Sequence, residues 1–308
     1  LAAVRAALAR YHASHHLVST VDDIAWITSL RGSDVDYNPV FLAHLLIGPQ
    51  RATLFVAAGK VDASLAARLA ADGIDLADSA AAAPALAALP ADAVLLVDPK
   101  RITLGLREAV PAVVPVVEAI NPSTLAKSRK TPAEAAFIRE AMEKDGAAMC
   151  RFYAWLEAAL GREAISELTI DERLTAERAR EDGFVSLSFP TIAGFNANGA
   201  MPHYRATPES FAEISTPDGL VAEGLLLIDS GAQYLGGTTD ITRVWPIGTP
   251  SDAQKADFTR VLKGTMALSR ARFPAGTLSP HLDALARAPL WEAGLDFGHG
   301  TGHGVGYF

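Results

Sequence analysis

The sequence predicts two domains of different class, an α/β domain followed by an α+β domain. Three observations carry that expectation. The chain has 308 residues, enough for two sizeable cores. From His16 to Ile120 short apolar runs alternate with helical patterns, the order of an α/β domain. Beyond residue 131 the signals change to capped helices and a strand pair joined by Leu235-Gly236-Gly237, a hairpin turn. The expected domains are 1–122 and 131–308.

Composition limits what those domains can be. Half of the residues (50%) are hydrophobic and 20% are charged, which describes a folded chain rather than a disordered one. The net charge of −8 gives no pull towards phosphate backbones, so no nucleic-acid partner is expected. Cys150 is the single cysteine, which excludes an intrachain disulfide and fits a reducing, cytoplasmic location. The apolar stretch Ala80 to Leu89 is short and broken by Pro84, so no membrane span is expected. The opening LAAVRAALARYHASHH lacks the regions of a signal peptide and reads as an amphipathic helix, with Leu1, Val4, Leu8 and Tyr11 on one face. A chain that starts at Leu looks like part of something longer.

In the first domain FLAHLLI (41–47) and ATLFVA (52–57) are strand-like and flank the turn GPQR. AVLLV (93–97) and VVPVVEAI (113–120) read as further strands beside alanine-rich helix. LRGSDVDYNPVF (30–41) offers Arg31, Asp34 and Asp36 as a candidate site, and the alternative is a plain loop in which Asn38-Pro39 starts a turn. The polar, basic NPSTLAKSRK (121–130) reads as the linker. A helix then starts at TPAE, with Thr131 as N-cap and Pro132 at the first position, and carries Phe137, Ile138, Met142, Met149, Phe152 and Leu156 at helical spacing. TIDE suggests a second start with Thr169 as cap, closed by Gly183. FVSLSFPTIAGF follows as a strand, then the loop NANGAMPHY (196–204), then the strands 224–234 and 238–248. Two helices close the pattern, 252–272 and about 280–288, the second with Ser279 as cap and Pro280 at its first position.

Chemistry concentrates in the second half. Asp229 ends an apolar run and Asp240 lies inside a Thr-rich strand, so a hairpin would bring two carboxylates together on a buried sheet. Two buried carboxylates side by side are costly, and a divalent cation removes the conflict. Oxygen ligands with an imidazole suit Mn, Fe, Co or Zn. The alternative is that each aspartate caps a turn, since Asp229-Ser230-Gly231 is a good turn sequence. In HGTGHGVGYF glycine falls at every second position from 298 to 306, which argues against helix. An extended chain puts His299 and His303 on one face and bare backbone on the other, where close approach of another element is the usual reason for glycine. Four extended residues span roughly 13 Å, so one ion cannot take both imidazoles and the other serves elsewhere. A frayed tail is the alternative, and His203 after the NANGAMP loop is a third candidate beside an ordinary surface histidine.

SFPTIAGFNANGAMPHY, LLLIDSGAQYLGGTTDITR and HGTGHGVG together resemble Xaa-Pro aminopeptidase (aminopeptidase P), of the creatinase/methionine-aminopeptidase pita-bread superfamily. LRGSDVDYNPVF and the turn IGTP resemble its large three-domain cytosolic form, so the resemblance covers essentially the whole chain. It implies a creatinase N-terminal-like α/β domain followed by an α+β pita-bread metallopeptidase domain. Asp229 would then bind one metal, Asp240 would bridge two, and His303 would ligate the other. His299 would line the substrate site and His203 would contact substrate or the reacting centre, with Thr242 supporting the metal site. Met201-Pro202 departs from the small or aliphatic pair usual in the family. The resemblance further implies two divalent ions, manganese with zinc or cobalt as alternatives, whose bridging hydroxide attacks the carbonyl before a proline at position 2 of a peptide. The family is commonly dimeric. Xaa-Pro dipeptidase (prolidase) and a non-catalytic peptide-binding module of the same fold are the alternative functions. The family carries two more glutamate ligands downstream of HGTGHG, so these residues are expected to be a fragment that binds metal weakly and hydrolyses nothing alone.

Overall fold

Leu17 and Val18 are neighbours in sequence yet belong to different buried cores, the arrangement of a strand covered on both faces. That strand lies in the first of the two units into which the computed structural model, describing residues 1–308, divides: Leu1–Ala133 and Glu134–Phe308. The first unit runs α1 (Ala2–Leu8), β1 (His15–Val18), α2 (Val21–Thr28), β2 (Ala43–Ile47), β3 (Ala52–Val56), α3 (Ala63–Ala71), β4 (Ile74–Asp78), α4 (Ala82–Ala87), β5 (Leu95–Val97), α5 (Leu104–Glu108), β6 (Val116–Glu118) and α6 (Pro122–Ser128). Its strands form one six-stranded sheet in the order β4-β3-β2-β1-β5-β6. β1, β2 and β3 pair antiparallel, with GPQR as the turn between β2 and β3, while β4, β5 and β6 add in parallel. One core gathers Val18, Ile24, Leu45 and Leu54, and the other Leu17, Phe55, Leu86 and Leu95.

The expected linker is corrected. Residues 122–128 form α6, and Asn121 and Ser123 are buried. The Asn121 amide donates to Asp98 Oδ2 at 3.2 Å and its side chain to Asp23 Oδ2 at 3.1 Å, while Lys127 pairs with Asp23 at 3.0 Å and also with Asp22. The basic, polar composition that suggested an exposed connection instead serves a buried acceptor on α2. Composition alone cannot separate these cases, because the partner lies about a hundred residues upstream.

The second unit opens with α7 (Pro132–Ala159), a 28-residue helix that buries Met149, Phe152 and Leu156. Then come β7 (Ile165–Ser166), α8 (Glu167–Arg178), β8 (Phe184–Leu187), β9 (Ile192–Phe195), β10 (Glu213–Ser215), β11 (Gly224–Ser230), β12 (Ala232–Tyr234), β13 (Gly237–Thr238), β14 (Ile241–Ile247), α9 (Asp252–Ser269) and α10 (Asp283–Trp291). The start of α8 differs from expectation: Ser166, not Thr169, is the N-cap and accepts from the Thr169 amide, so Glu167 falls in the first turn. That helix also ends at Arg178, well before Gly183. The single strand expected over FVSLSFPTIAGF breaks around Pro190 into β8 and β9, which join different sheets. Ser279 and Pro280 open a 3-10 turn rather than α10 itself. α9 carries the full capping box, with Ser251 and Gln254 bonding each other's backbone. No helix is long and apolar enough to cross a membrane.

The expected strand pair is present, but each of its strands is divided. β11 pairs with β14 and β9, while β12 pairs with β13 and β8. The chain changes sheet at Gly231 on one side and at Thr239-Asp240 on the other. Thr239 is fully buried there, its hydroxyl accepting from the Ala232 amide at 2.9 Å while its own amide donates to the Ala232 carbonyl at 2.8 Å. A Cβ on Gly231 would collide with the Thr239 carbonyl and the Ser188 hydroxyl. Gly231→Ala is therefore expected to cost about 1–3 kcal/mol, read as a lower urea midpoint at unchanged slope.

Candidate metal centre

β11 alternates buried and half-exposed positions along its whole length. Gly224, Leu226, Ile228 and Ser230 face the core, which leaves Asp229 on the opposite face with Leu225 and Leu227. The ladder pairs Asp229 directly with Thr242 of β14, and the Thr242 hydroxyl donates to Asp229 Oδ1 at 2.8 Å. Asp229 therefore sits within a paired strand and caps no turn. Asp240, one residue before β14, is where the chain comes back from the other sheet. Burial raises its pKa, and the adjoining Asp229 carboxylate raises it further; His303 and Arg178 act in the opposite direction. Two carboxylates thus contact one another in a partly desolvated position, the costly arrangement that a cation relieves.

His303 supplies the nitrogen, its Nε2 lying 3.3 Å from Asp240 Oδ2. His303 Nδ1 contacts the Gly304 carbonyl at 2.9 Å; if it is the protonated nitrogen, Nε2 is left as the lone-pair donor towards the carboxylates. Two carboxylates and an imidazole match the chemistry of a divalent first-row cation. Geometrically the set is open: no group of three or more His, Cys, Asp or Glu side chains in the chain is arranged to enclose an ion.

A cavity of about 540 Å³ opens over these groups, and its wall includes His203, Asp229, Asp240, Thr242, His299 and His303. All six residues singled out in the sequence lie on it. His203 follows the turn at 196–200 and has φ of 57°, the left-handed region. Met201 before Pro202 is extended, as the proline requires. His299 stacks on Phe297 with ring centroids 4.7 Å apart.

The tail that carries His299 and His303 differs from expectation in two ways. Residues 299–308 form no regular strand; a backbone bond from the Thr238 amide to the Gly306 carbonyl, at 3.0 Å, ties the tail to β13. Nor does another element crowd its glycines, since a Cβ at Gly298, Gly300, Gly302 or Gly304 would meet nothing within 4 Å. The tail is held from beside rather than from above. Arg287 of α10 donates to the carbonyls of Phe297 at 2.6 Å and His299 at 2.8 Å, pairs with Asp283 and Asp296, and covers the Phe297 ring at 3.9 Å. Thr301 bonds Asp283. The Arg287 clamp was not legible in the sequence; an arginine twelve positions before His299 on a helix reads as a surface charge. Arg287→Ala is expected to speed amide exchange across 297–303 and to weaken divalent-cation binding about 10- to 100-fold, as for loss of a group that orients a ligand. Exchange mass spectrometry and calorimetry measure the two effects.

Residues 136–307 match the model of metallopeptidase family M24, and residues 1–134 match the creatinase/prolidase N-terminal domain. Aminopeptidase P2 of Arabidopsis thaliana is 37% identical over 320 residues, covering 94% of this chain and 44% of its own length. Xaa-Pro aminopeptidase 1 of Dictyostelium discoideum is 36% identical over 310 residues, 99% of this chain and 48% of its own. The chain thus spans about half the length of the curated relatives it matches. Among solved structures, X-prolyl aminopeptidase of Caenorhabditis elegans, described as a cytosolic enzyme with a di-nuclear active site, superimposes with a TM-score of 0.89 at 28% identity, over 99% of this chain and 50% of that one. The Xaa-Pro dipeptidase of Bacillus anthracis shares the fold, with a TM-score of 0.74 at 21% identity over 99% of this chain and 81% of that one. The chain belongs to metallopeptidase family M24, with a creatinase N-terminal domain followed by the pita-bread catalytic domain.

Proposed function

We propose that this chain forms the metal- and substrate-binding face of an aminopeptidase that removes the first residue from peptides with proline in second place. The observation that carries the reading is the convergence of Asp229, Asp240, His303, His203 and His299 on one cavity. Asp229 and Asp240 would hold two divalent cations between them, with His303 completing the side nearer Asp240; manganese fits two hard carboxylates with one imidazole. Such ions, when bound, polarise a carbonyl and lower the pKa of water.

The chain's own residues do the rest. Thr242 fixes the rotamer of Asp229 through its 2.8 Å hydrogen bond. His203 and His299 line the same cavity as the carboxylates and are suited to bind the oxygen on which negative charge develops and to carry a proton to the departing proline nitrogen. Relatives at 36–37% identity are called aminopeptidases, which favours a peptide of three or more residues over a dipeptide.

The test is hydrolysis of Xaa-Pro-Xaa and Xaa-Pro peptides by the full-length polypeptide with added Mn²⁺. Cleavage before proline in the tripeptide, lost when proline is replaced by alanine, is the expected result. Preference for the dipeptide, or no metal-dependent turnover, overturns the proposal.

A further inference from the structure

Glu167 does not line the cavity, yet it is 1% exposed and its carboxylate is surrounded by donors. Oε1 accepts from the Phe195 amide at 2.7 Å and the Asn198 side chain at 3.0 Å. Oε2 accepts from the Tyr204 phenol at 2.7 Å, the Ala212 amide at 2.8 Å and Asn198 again at 3.2 Å. The Glu167 amide in turn donates to the Ala212 carbonyl at 3.1 Å. Both oxygens of this buried carboxyl group are thus fully engaged by donors.

What those donors have in common is the loop that carries His203. Phe195 ends the strand before the loop, Asn198 lies in its turn, Tyr204 is the next residue after His203, and Ala212 immediately precedes β10, which pairs with β7 in a separate sheet. Asn198 and Tyr204 also bond each other at 3.1 Å. The Tyr204 phenol is pushed up to about 12 by burial and by Glu167, so it stays protonated and donating. His203 itself has φ of 57°, a left-handed conformation disfavoured for any residue with a Cβ. Such a conformation persists only where the flanking chain is held. On one side the Met201 carbonyl accepts from the Tyr204 amide at 3.1 Å. On the other the Tyr204 ring is tied to Glu167.

We infer that Glu167 is a positioning residue for His203, its carboxylate gripping Tyr204 and Asn198 so that the imidazole is carried on the cavity wall. This rests on the proposed role of His203 in peptide hydrolysis. A carboxylate that only stabilised the fold would lower melting temperature and leave turnover per folded molecule intact. A positioning carboxylate changes turnover through His203 alone, because an ångström of misplacement costs on the order of a hundredfold.

The experiment uses the full-length Mn²⁺-loaded protein with an Xaa-Pro-Xaa peptide. Tyr204→Phe removes one hydroxyl from the grip, Glu167→Gln weakens all of it, and His203→Ala removes its object. The expected result is a kcat lowered about 10- to 100-fold in Tyr204→Phe, with KM changed less than about threefold. In a His203→Ala background Tyr204→Phe should cost nothing more, since both act through one group. An equal further loss in that background, or wild-type kcat in folded Tyr204→Phe, overturns the inference. Tyr204→Phe alone decides the matter should Glu167→Gln not fold. Proton resonances of the His203 ring in metal-free protein give an independent readout: they shift in Tyr204→Phe if the grip positions the ring, and unchanged resonances overturn it. A fully active His203→Ala is a different failure, which removes His203 from the reaction and overturns the role proposed for it while leaving the peptidase activity standing.

Discussion

Asp240→Ala is expected to empty the metal centre and lower peptide hydrolysis by more than about a thousandfold, well beyond the roughly 10- to 100-fold cost of losing a group that merely orients a ligand. Asp240 is the residue that both other donors touch: its carboxyl meets that of Asp229, and His303 Nε2 lies 3.3 Å from its Oδ2. Without it Asp229 keeps only Thr242, and His303 has no oxygen partner to share an ion. Metal analysis by mass spectrometry after dialysis checks the result, and retention of two ions per chain would refute the assignment. The same substitution should carry no stability penalty in metal-free protein. Asp240 is held there against burial and a neighbouring negative charge, so its removal relieves a strain that His303 and Arg178 offset only in part. Loss of metal with an equal or higher melting temperature is the combined signature, and it separates a ligand from a structural aspartate.

Asp145→Ala is expected to destabilise the second unit by about 3–5 kcal/mol, the cost of leaving a buried charge without its partner. Arg178 and Asp145 are both fully buried, with bonds of 2.6 and 3.1 Å between them. Tyr234 donates to Asp145 at 3.1 Å, and its phenol is pushed up by burial and by Asp145. Arg178 Nη1 already lacks a partner, so nothing is in reserve when Asp145 goes. Replacing both, as Asp145→Leu with Arg178→Met, should cost much less than either single change, because an apolar pair leaves no charge stranded. Urea unfolding followed through Trp155 and Trp245 reports on this unit. A single variant within about 1 kcal/mol of wild type would mean that water reaches the pair.

The hairpin was readable because its signals are local: an apolar run, a glycine turn and a Thr-rich return lie within 25 residues (224–248). The same local reading missed that each strand is shared between two sheets. That division depends on β8 and β9, some forty residues upstream, and on Thr239 filling the gap at Gly231. Asn121 read as linker for the same reason, its partner Asp23 being distant. Glu167 reads as an ordinary acid in a first helical turn, and nothing nearby in sequence reveals that residues 195 to 212 wrap it. His203, His299 and His303 stood out through the motifs around them; their shared cavity is a property of the fold.

The spacing of the three residues proposed to hold metal also has a kinetic side. Asp229 and Asp240 are 11 positions apart across one hairpin, whereas His303 follows Asp240 by 63. Closing the longer loop costs about 1.5 kcal/mol more chain entropy than closing the shorter one. Hairpins form within microseconds, so the carboxylate pair is assembled early, as a local event. The imidazole must wait until α9 and α10 have docked and Arg287 has fastened the tail. The nascent chain is therefore expected to pass through a stage with its two acidic groups paired and the His303 imidazole still free, when a cation would meet an all-oxygen site, open to any hard ion.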